Sequence, residues 1–274
     1  MSTKEQKFLS SSKHYLSQKF WRFLRNVLPS VTLWNYLYGL RQVFLLKKME
    51  KIVMQLIDLT PEPTEPQSIN LDVKRVLSDD KNIHKEADEL EKLFNKFDSD
   101  KAILHNYNFL YAALFSNIRG SALNVMEIGT YKGASLRSWK EYFGKAKIYG
   151  IDIDPDTLFS EERIFTSLAD QNSIKSLENI NKLWNIDYDV IIDDGWHQPE
   201  ASVFTMFAFL KKLKKGGIYV LEDIDQEKYM NFYKKLELIF NQSSKYSAEY
   251  IDYPKLVPPT NSGYLYGILL ITKK

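Results

Sequence analysis

The stretch ALNVMEIGTYKGASLRSWKEYF, residues 122–143, changes character halfway along its length. Its first half is a short apolar run that ends at Gly129, as a buried strand does when it reaches a turn. Its second half spaces Leu136, Trp139 and Phe143 three and four residues apart, which places them on one face of a helix. The stretch therefore predicts a strand, a glycine-containing turn and a helix that packs back on the strand.

The same alternation of strands and helices continues to the end of the chain. It predicts a doubly wound α/β fold with a mainly parallel, seven-stranded, Rossmann-like sheet whose last two strands form an antiparallel hairpin. The predicted strands are residues 122–129, 147–153, 163–169, 187–193, 217–224, 245–253 and 263–273, and the predicted helices are 79–97, 133–143, 199–215 and 226–240. A helical appendage is expected before this fold.

Composition narrows the class of protein. The 274 residues are 44% hydrophobic and 26% charged, with a net charge of +2, which is ordinary for a globular protein and gives no reason to expect nucleic-acid binding. The chain has no cysteine, so disulfides and thiol chemistry are excluded and a cytoplasmic location is expected. No uninterrupted apolar run is long enough for a membrane span, and no signal peptide is evident.

The first part of the chain differs from the rest in charge. Residues 1–56 hold ten basic residues and two acidic ones, a local charge of +8, which leaves −6 for the remainder. Three interpretations of this aromatic-rich, helical arm (residues 1–58) stay open: it packs on the main domain or on a second subunit, it contacts a phosphate-bearing substrate, or it lies on a membrane surface. A proline-rich linker, residues 59–72, separates it from the main domain, residues 73–274.

Polar residues follow the predicted strands where ligands bind in such folds. Gly129 and Gly133 allow a tight turn, and the helix after them offers amide donors to an anion, although such a turn is often a plain connection. Asp152 ends the second strand, where an acid holds a ribose diol, with Asp154 as the rival or as a turn former. Asp170 and Gln171, in the third connection, suit an adenine edge, and a plain loop is the alternative.

Taken together, these segments resemble a known family. E-x-G-x-Y-x-G-x-S, here Glu127, Gly129, Tyr131, Gly133 and Ser135, is similar to the cofactor loop of class I S-adenosylmethionine-dependent methyltransferases, and especially of the metal-dependent ones typified by catechol O-methyltransferase. The longer pattern over roughly residues 96–224 resembles the macrolide-sugar O-methyltransferases of the mycinamicin and tylosin pathways and the cephalosporin hydroxylase-like group. Upstream, KFDSDKAILHNY (residues 96–107) is similar to that family's K-Y-G-T-D-K-G…H-x-Y segment, with Asp98 and Ala102 in place of glycines.

The resemblance implies roles for individual residues. It implies that the methionine portion of S-adenosylmethionine is held by Glu127, Gly129, Tyr131 and Ser135, the last through the cofactor's carboxylate. It implies that Asp152 binds the ribose, with Asp170 and Gln171 near the adenine. It also implies a divalent cation held by Asp194, Glu222 and Asp223, with His197 as the general base.

The chemistry of the residues agrees with a cation site. Asp194 ends one predicted strand in VIIDDGWHQPE (residues 190–200), and Glu222 and Asp223 end the next. Three carboxylates form an all-oxygen site, which suits Mg²⁺ or Mn²⁺ rather than zinc. Simpler explanations remain for each element. Asp193 and Asp194 can cap the helix that begins near Pro199, the acids of strand five can be a polar strand end, and His197 can be structural. Trp196 either lines the acceptor pocket or packs.

The sequence thus predicts an S-adenosylmethionine- and divalent-metal-dependent O-methyltransferase. The expected acceptor is a small molecule with a sugar hydroxyl, most of all a nucleotide-linked sugar for a bacterial surface polysaccharide, or else a glycosylated small molecule. An N-methyltransferase or a phenol O-methyltransferase on the same scaffold is the alternative within the fold. A non-catalytic cofactor-binding protein that assembles or docks on membranes through the basic arm is the alternative from another class.

Overall fold

Eight strands form one sheet in the part of the chain that the computed structural model describes, which is residues 43–54, 81–253 and 266–274. The strands are β1 (Asn124–Ile128), β2 (Lys147–Asp152), β3 (Ser160–Glu161), β4 (Ile164–Leu168), β5 (Tyr188–Asp193), β6 (Leu213–Asp225), β7 (Tyr246–Ile251) and β8 (Tyr266–Lys273). Their order across the sheet is β3-β4-β2-β1-β5-β6-β8-β7.

Strands β4, β2, β1, β5 and β6 are parallel, and β8 pairs antiparallel with both β6 and β7. The carboxyl ends of the five parallel strands therefore meet at one edge of the sheet. Chain order reverses between β1 and β5, the kind of switch point at which doubly wound folds bind ligands. This edge carries the polar residues that the sequence placed at strand ends.

Helices cover both faces of the sheet. They are α1 (residues 43–54), α2 (Lys81–Lys96), α3 (Asp100–Ile103), α4 (Tyr107–Phe115), α5 (Ala134–Tyr142), α6 (Ile174–Trp184), α7 (Pro199–Phe209) and α8 (Gln226–Asn241). One apolar core packs α2, α4 and α5 on the sheet, and the other packs α1, α6, α7 and α8 on the opposite face. Successive residues of β1 alternate between them, Val125 in the first core and Met126 in the second.

The α/β class, the parallel sheet and the terminal antiparallel hairpin are as predicted, but the count of seven strands is wrong. The additional strand, β3, is two exposed residues that pair antiparallel with β4. A segment that short has no periodic pattern for sequence analysis to detect.

The end of the predicted helix over residues 199–215 is also wrong. Helix α7 begins at Pro199 as expected but ends at Phe209, and a 3₁₀ turn leads into β6. Leu213 is fully buried and pairs with Tyr188 of β5, while the ammonium of Lys214 lies 2.8 Å from an Asp189 carboxylate oxygen. The lysines that suggested a helix end therefore belong partly to the start of a strand.

The described part of the N-terminal arm is α1. Its Met49 and Val53 are fully buried in the core on the α8 face of the sheet, and Glu50 accepts a hydrogen bond from Lys235 of α8 at 2.6 Å. The rest of the arm, residues 1–42 and 55–58, and the predicted linker lie outside the described residues. No helix among the described residues is long and apolar enough to cross a membrane.

Replacing Met49 with alanine tests whether α1 belongs to the core. Because Met49 is fully buried, Met49→Ala should lower the free energy of unfolding by about 2–5 kcal/mol, the usual cost of replacing a buried methionine with alanine. Met54 lies on the same helix with 44% of its surface exposed, so Met54→Ala should cost less than about 0.5 kcal/mol. Urea unfolding of both variants makes the comparison, and equal small losses would show that α1 does not contribute to the fold.

Candidate active site at the carboxyl edge of the sheet

The turn after β1 depends on two glycines with positive φ, Gly129 at 84° and Gly133 at 75°. A β-carbon on Gly129 would lie 2.2 Å from the backbone oxygen of Asp194, and one on Gly133 would lie 2.3 Å from the Phe159 ring. The first contact shows that the β1 turn and the end of β5 touch through their backbones. The glycines are therefore needed both for the turn and for the close approach of the two strand ends.

Asp152, the predicted ribose ligand, organises this turn. Its Oδ2 accepts the backbone N–H groups of Thr130 at 2.9 Å and Tyr131 at 2.8 Å, and its Oδ1 accepts that of Asp154 at 3.0 Å. Each oxygen of a carboxylate has two lone pairs, so acceptor capacity remains for a ribose hydroxyl. Asp154 itself accepts the backbone N–H of Asp156, which matches the turn-forming interpretation.

A buried network holds the loop after β5. Asp193 is 1% exposed, and its Oδ1 accepts a hydrogen bond from Gln171 Nε2 at 2.7 Å. Its Oδ2 accepts the hydroxyls of Thr205 and Tyr219, each at 2.6 Å. The oxygen of Gln171 in turn accepts the backbone N–H of Trp196 at 2.9 Å. Both ends of the Gln171 amide are thus used to fix the loop, whereas sequence analysis placed this side chain near the adenine.

These segments surround a cavity of about 830 Å³, which is large enough for a nucleoside-sized ligand. The residues that sequence analysis assigned to the cofactor and that line it are Gly129, Tyr131, Ser135, Asp152, Asp170 and Gln171. Asp194 and Trp196 also line it, and 55% of the Trp196 surface is exposed. The cavity therefore brings most of the predicted cofactor residues together at the edge of the sheet.

Glu127 is fully buried beside this cavity on β1. Its Oε2 accepts the Ser135 hydroxyl at 2.7 Å, while its Oε1 accepts no hydrogen bond from the described residues. Burial raises the pKa of Glu127 to about 7, although the nearby Lys101 ammonium opposes the rise. A buried carboxylate oxygen that accepts no hydrogen bond from the described residues has acceptor capacity left, which fits a ligand that brings an ammonium group.

The most important group that the sequence did not predict is Lys101, a buried lysine that contacts the acids at the strand ends. It lies on α3 and is 2% exposed, and its Nζ donates to Asp194 Oδ2 at 2.7 Å and to Glu222 Oε2 at 2.6 Å. Glu127 Oε1 lies 3.4 Å from the same nitrogen. Burial alone would lower the pKa of Lys101, but the three carboxylates outweigh it and raise the pKa above its ordinary value. One ammonium thus joins the ends of β1, β5 and β6.

Helix α4 supplies two further donors to the acids of β6. Tyr107 OH donates to Asp223 Oδ1 at 2.5 Å, and Tyr111, one turn along the helix, donates to Glu222 Oε1. Burial raises the pKa of Glu222 to about 7, against the effect of Lys101. With Lys101 on one oxygen and Tyr111 on the other, Glu222 faces the interior of the protein. Glu222 and Asp223 are adjacent in the sequence, so their different roles become visible only from the side chains that each one contacts in the structure.

A group suited to a cation lies beside this interior set. Asp194, His197 and Asp223 each offer one ligand atom, and these atoms lie within 4.8 Å of one another. His197 Nε2 is 3.9 Å from Asp194 Oδ1, the oxygen that does not face Lys101. Two carboxylates and an imidazole are a donor set that a hard divalent ion accepts. Of the predicted cation ligands, the structure brings Asp194 and Asp223 together and turns Glu222 toward Lys101.

Two histidines therefore flank the acids. His197 Nδ1 is buried without a hydrogen-bond partner in the described chain, and His105 Nδ1 lies 3.7 Å from Asp223 Oδ1. His105 also stacks on Tyr107 with ring centroids 5.0 Å apart. In the sequence, the H-x-Y pair stands out only as part of the segment that resembles a known family. The structure shows that the segment delivers Lys101, His105 and Tyr107 to the same cluster of acids.

Comparison with known proteins identifies related sequences. A family model described as a methyltransferase domain matches residues 126–224. The 8-demethyl-8-alpha-L-rhamnosyl tetracenomycin-C 2′-O-methyltransferase of Streptomyces olivaceus is 38% identical over 134 residues, 46% of this chain and 35% of that protein. The mycinamicin VI 2″-O-methyltransferase of Micromonospora griseorubida is 37% identical over 145 residues, 50% of this chain and 36% of that protein.

Among solved structures, the MycE methyltransferase from the mycinamycin biosynthetic pathway, in complex with Mg, SAH and mycinamycin VI, is 32% identical. The similarity covers 53% of this chain and 39% of that chain, with a TM-score of 0.47. This chain thus spans little more than a third of the length of the curated relatives quoted above.

Gly129→Ala tests the contact between the β1 turn and the end of β5. The added β-carbon would lie 2.2 Å from the backbone oxygen of Asp194, and the alanine would have to keep a φ of 84°. We therefore expect the free energy of unfolding to fall by more than about 1 kcal/mol and the binding of S-adenosylhomocysteine to weaken. A β-carbon on Gly144 meets no described atom within 4 Å, which makes Gly144→Ala the control. Thermal unfolding and calorimetric titration measure the two effects, and a Gly129→Ala variant that matches the control would disprove the contact.

Proposed function

We propose that this chain transfers the methyl group of S-adenosylmethionine to a hydroxyl oxygen with the aid of a divalent cation. The match of residues 126–224 to a family model described as a methyltransferase domain supports the proposal. The observation that carries the proposal is the position of Asp194. Asp194 lines the cavity beside the cofactor loop. Its carboxylate also belongs, with His197 and Asp223, to the group of side chains that could hold a metal ion. Methyl donor and cation site are thus adjacent.

On the donor side, Oε1 of Glu127 lies 3.4 Å from the Lys101 ammonium but accepts no hydrogen bond from the described residues, and it is the acceptor for the ammonium of the methionine portion. Ser135 supports Glu127 through its hydrogen bond. Asp152 is placed for the ribose hydroxyls, since it lines the cavity while its own backbone contacts hold it still. Asp170 lines the same cavity, and we assign it to the adenine. Tyr131, with 68% of its surface exposed, is placed at the mouth of the cavity.

On the acceptor side, Asp194 and Asp223 would hold the cation, and Glu222 would join them if it were released from Lys101. When bound, the cation would supply positive charge that lowers the pKa of a nearby hydroxyl. His197 accepts the hydroxyl proton, and the oxygen forms a bond to the methyl carbon as the carbon–sulfur bond breaks and leaves its electron pair on sulfur. The positive charge of the sulfonium is lost, and the proton remains on His197.

We further propose that the acceptor hydroxyl belongs to a sugar. The named relatives are O-methyltransferases of rhamnosyl tetracenomycin and of mycinamicin. The exposed indole of Trp196 at the cavity suits the apolar face of a sugar ring. A nucleotide-linked sugar for a surface polysaccharide is the acceptor that we favour, because the basic residues of the first part of the chain suit a pyrophosphate.

An acceptor panel with and without cation tests this function. Methyl transfer to nucleotide sugars, glycosylated macrolides and catechol should be assayed with Mg²⁺, after EDTA, and after EDTA followed by excess Mg²⁺. We expect a sugar-bearing acceptor to be methylated only when the cation is present. Full activity in EDTA would refute the cation, catechol as the sole acceptor would refute the sugar, and cofactor binding without turnover on any acceptor would favour a binding protein.

His197→Ala separates a base from a cation ligand. If His197 is the base, turnover should fall roughly 10²–10⁴-fold while calorimetric affinities for Mn²⁺ and S-adenosylhomocysteine change little. If it is a ligand, Mn²⁺ affinity should fall as well, and that result would contradict the base assignment. His84 is exposed and packs against the Phe109 ring, away from the acids, so His84→Ala serves as the matched control.

A further inference from the structure

We propose that Lys101 binds the carboxylate of the methionine portion of S-adenosylmethionine, and that this contact releases Asp194 and Glu222 to the divalent cation. The inference rests on the proposed function and adds to it a residue and an order of binding. The Lys101 ammonium contacts two carboxylates that belong to different proposed sites. Glu127 is on the cofactor side and Asp194 is on the cation side.

The carboxylate of the cofactor needs a hydrogen-bond donor, and Ser135 is not available for this purpose. A hydroxyl has one proton, and that of Ser135 is donated to Glu127 Oε2. Two lysines line the cavity, Lys101 and Lys132. The Lys132 side chain is exposed, with its Nζ 5.3 Å from the centre of the Tyr131 ring. Lys101 is 2% exposed, and its Nζ lies 3.4 Å from Glu127 Oε1. Lys101 is therefore the interior cation of the cavity.

Without a ligand, Lys101 and a divalent cation would compete for the same acids. The ammonium occupies Asp194 Oδ2 and Glu222 Oε2 at 2.7 and 2.6 Å, and its own charge repels a dication placed beside Asp194. Movement of the ammonium toward the cofactor's carboxylate relieves that repulsion and frees one oxygen on each acid. Cofactor binding should then strengthen cation binding, and the cation should strengthen cofactor binding by the same factor.

The coupling is measured by titrating Mn²⁺ into the protein, with calorimetry and electron paramagnetic resonance as readouts that need no turnover. In the wild type, saturating S-adenosylhomocysteine should tighten Mn²⁺ binding about tenfold or more. The probe 5′-methylthioadenosine keeps the adenosine and the thioether but lacks the amino acid, so it should leave the Mn²⁺ affinity within about threefold of its starting value. Equal effects of the two probes would overturn the proposal even if no variant of Lys101 folds.

Lys101→Met removes the charge and keeps a side chain of similar reach. We expect Mn²⁺ to bind this variant about tenfold more tightly than it binds the unliganded wild type, with S-adenosylhomocysteine no longer adding more than about threefold. Lys132→Met, at the exposed lysine of the same cavity, should keep the wild-type coupling. Weaker Mn²⁺ binding by Lys101→Met, or unchanged coupling, would show that Lys101 only organises the acids. A wild type that binds both ligands without coupling overturns this inference alone, and one that binds neither overturns the proposed function as well.

Discussion

Buried carboxylates are stable in a folded protein only when hydrogen bonds or opposite charge replace the water they lose. Glu127, Asp193 and Glu222 are each at most 1% exposed at the carboxyl edge of one sheet, which is the constraint that the surrounding structure has to satisfy. Two different solutions are present. Asp193 receives three neutral donors, whereas Glu127 and Glu222 share the single ammonium of Lys101. The three hydrogen bonds to Asp193 make a rigid support. The ion pairs of Lys101 with Glu127 and Glu222 can be exchanged when a charged ligand binds.

The neutral network explains how a loop beside a cavity keeps its shape. Asp193 fixes Gln171, Gln171 fixes the backbone at Trp196, and the neighbouring Gly195 leaves room for the Gln171 amide, whose oxygen would otherwise lie 2.3 Å from a β-carbon. His197 follows with a positive φ of 52°, a conformation that is uncommon for residues other than glycine, although histidine adopts it more often than most. The hydrogen bonds of Asp193 and Gln171 hold the backbone of this loop immediately before His197.

The sequence predicted the edge of the sheet better than the groups that neutralise it. Parallel strands that end in acids had to bring Glu127, Asp152 and Asp194 to one side, and hydrophobic periodicity alone was enough to see that. The donors that neutralise Glu127, Asp194 and Glu222 include Lys101 of α3 and Tyr111 of α4, two helices that precede β1 in the chain. No pattern in the sequence states that a lysine of α3 is buried. Contacts between distant segments depend on packing, which is why Lys101 and Tyr111 were missed.

The two helices make the acid cluster dependent on the segment that precedes the methyltransferase domain match. Lys101, Tyr107 and Tyr111 lie before residue 126, yet they supply every side-chain hydrogen bond that Glu222 and Asp223 accept within the described chain. Arg119, just after α4, ties this segment to α2 through Glu86 and Glu89. The acids at the ends of β5 and β6, where we propose a cation site, therefore take their charge balance from helices outside those strands. Changes in the segment from α2 to α4 can alter the chemistry at the sheet edge without touching any predicted ligand.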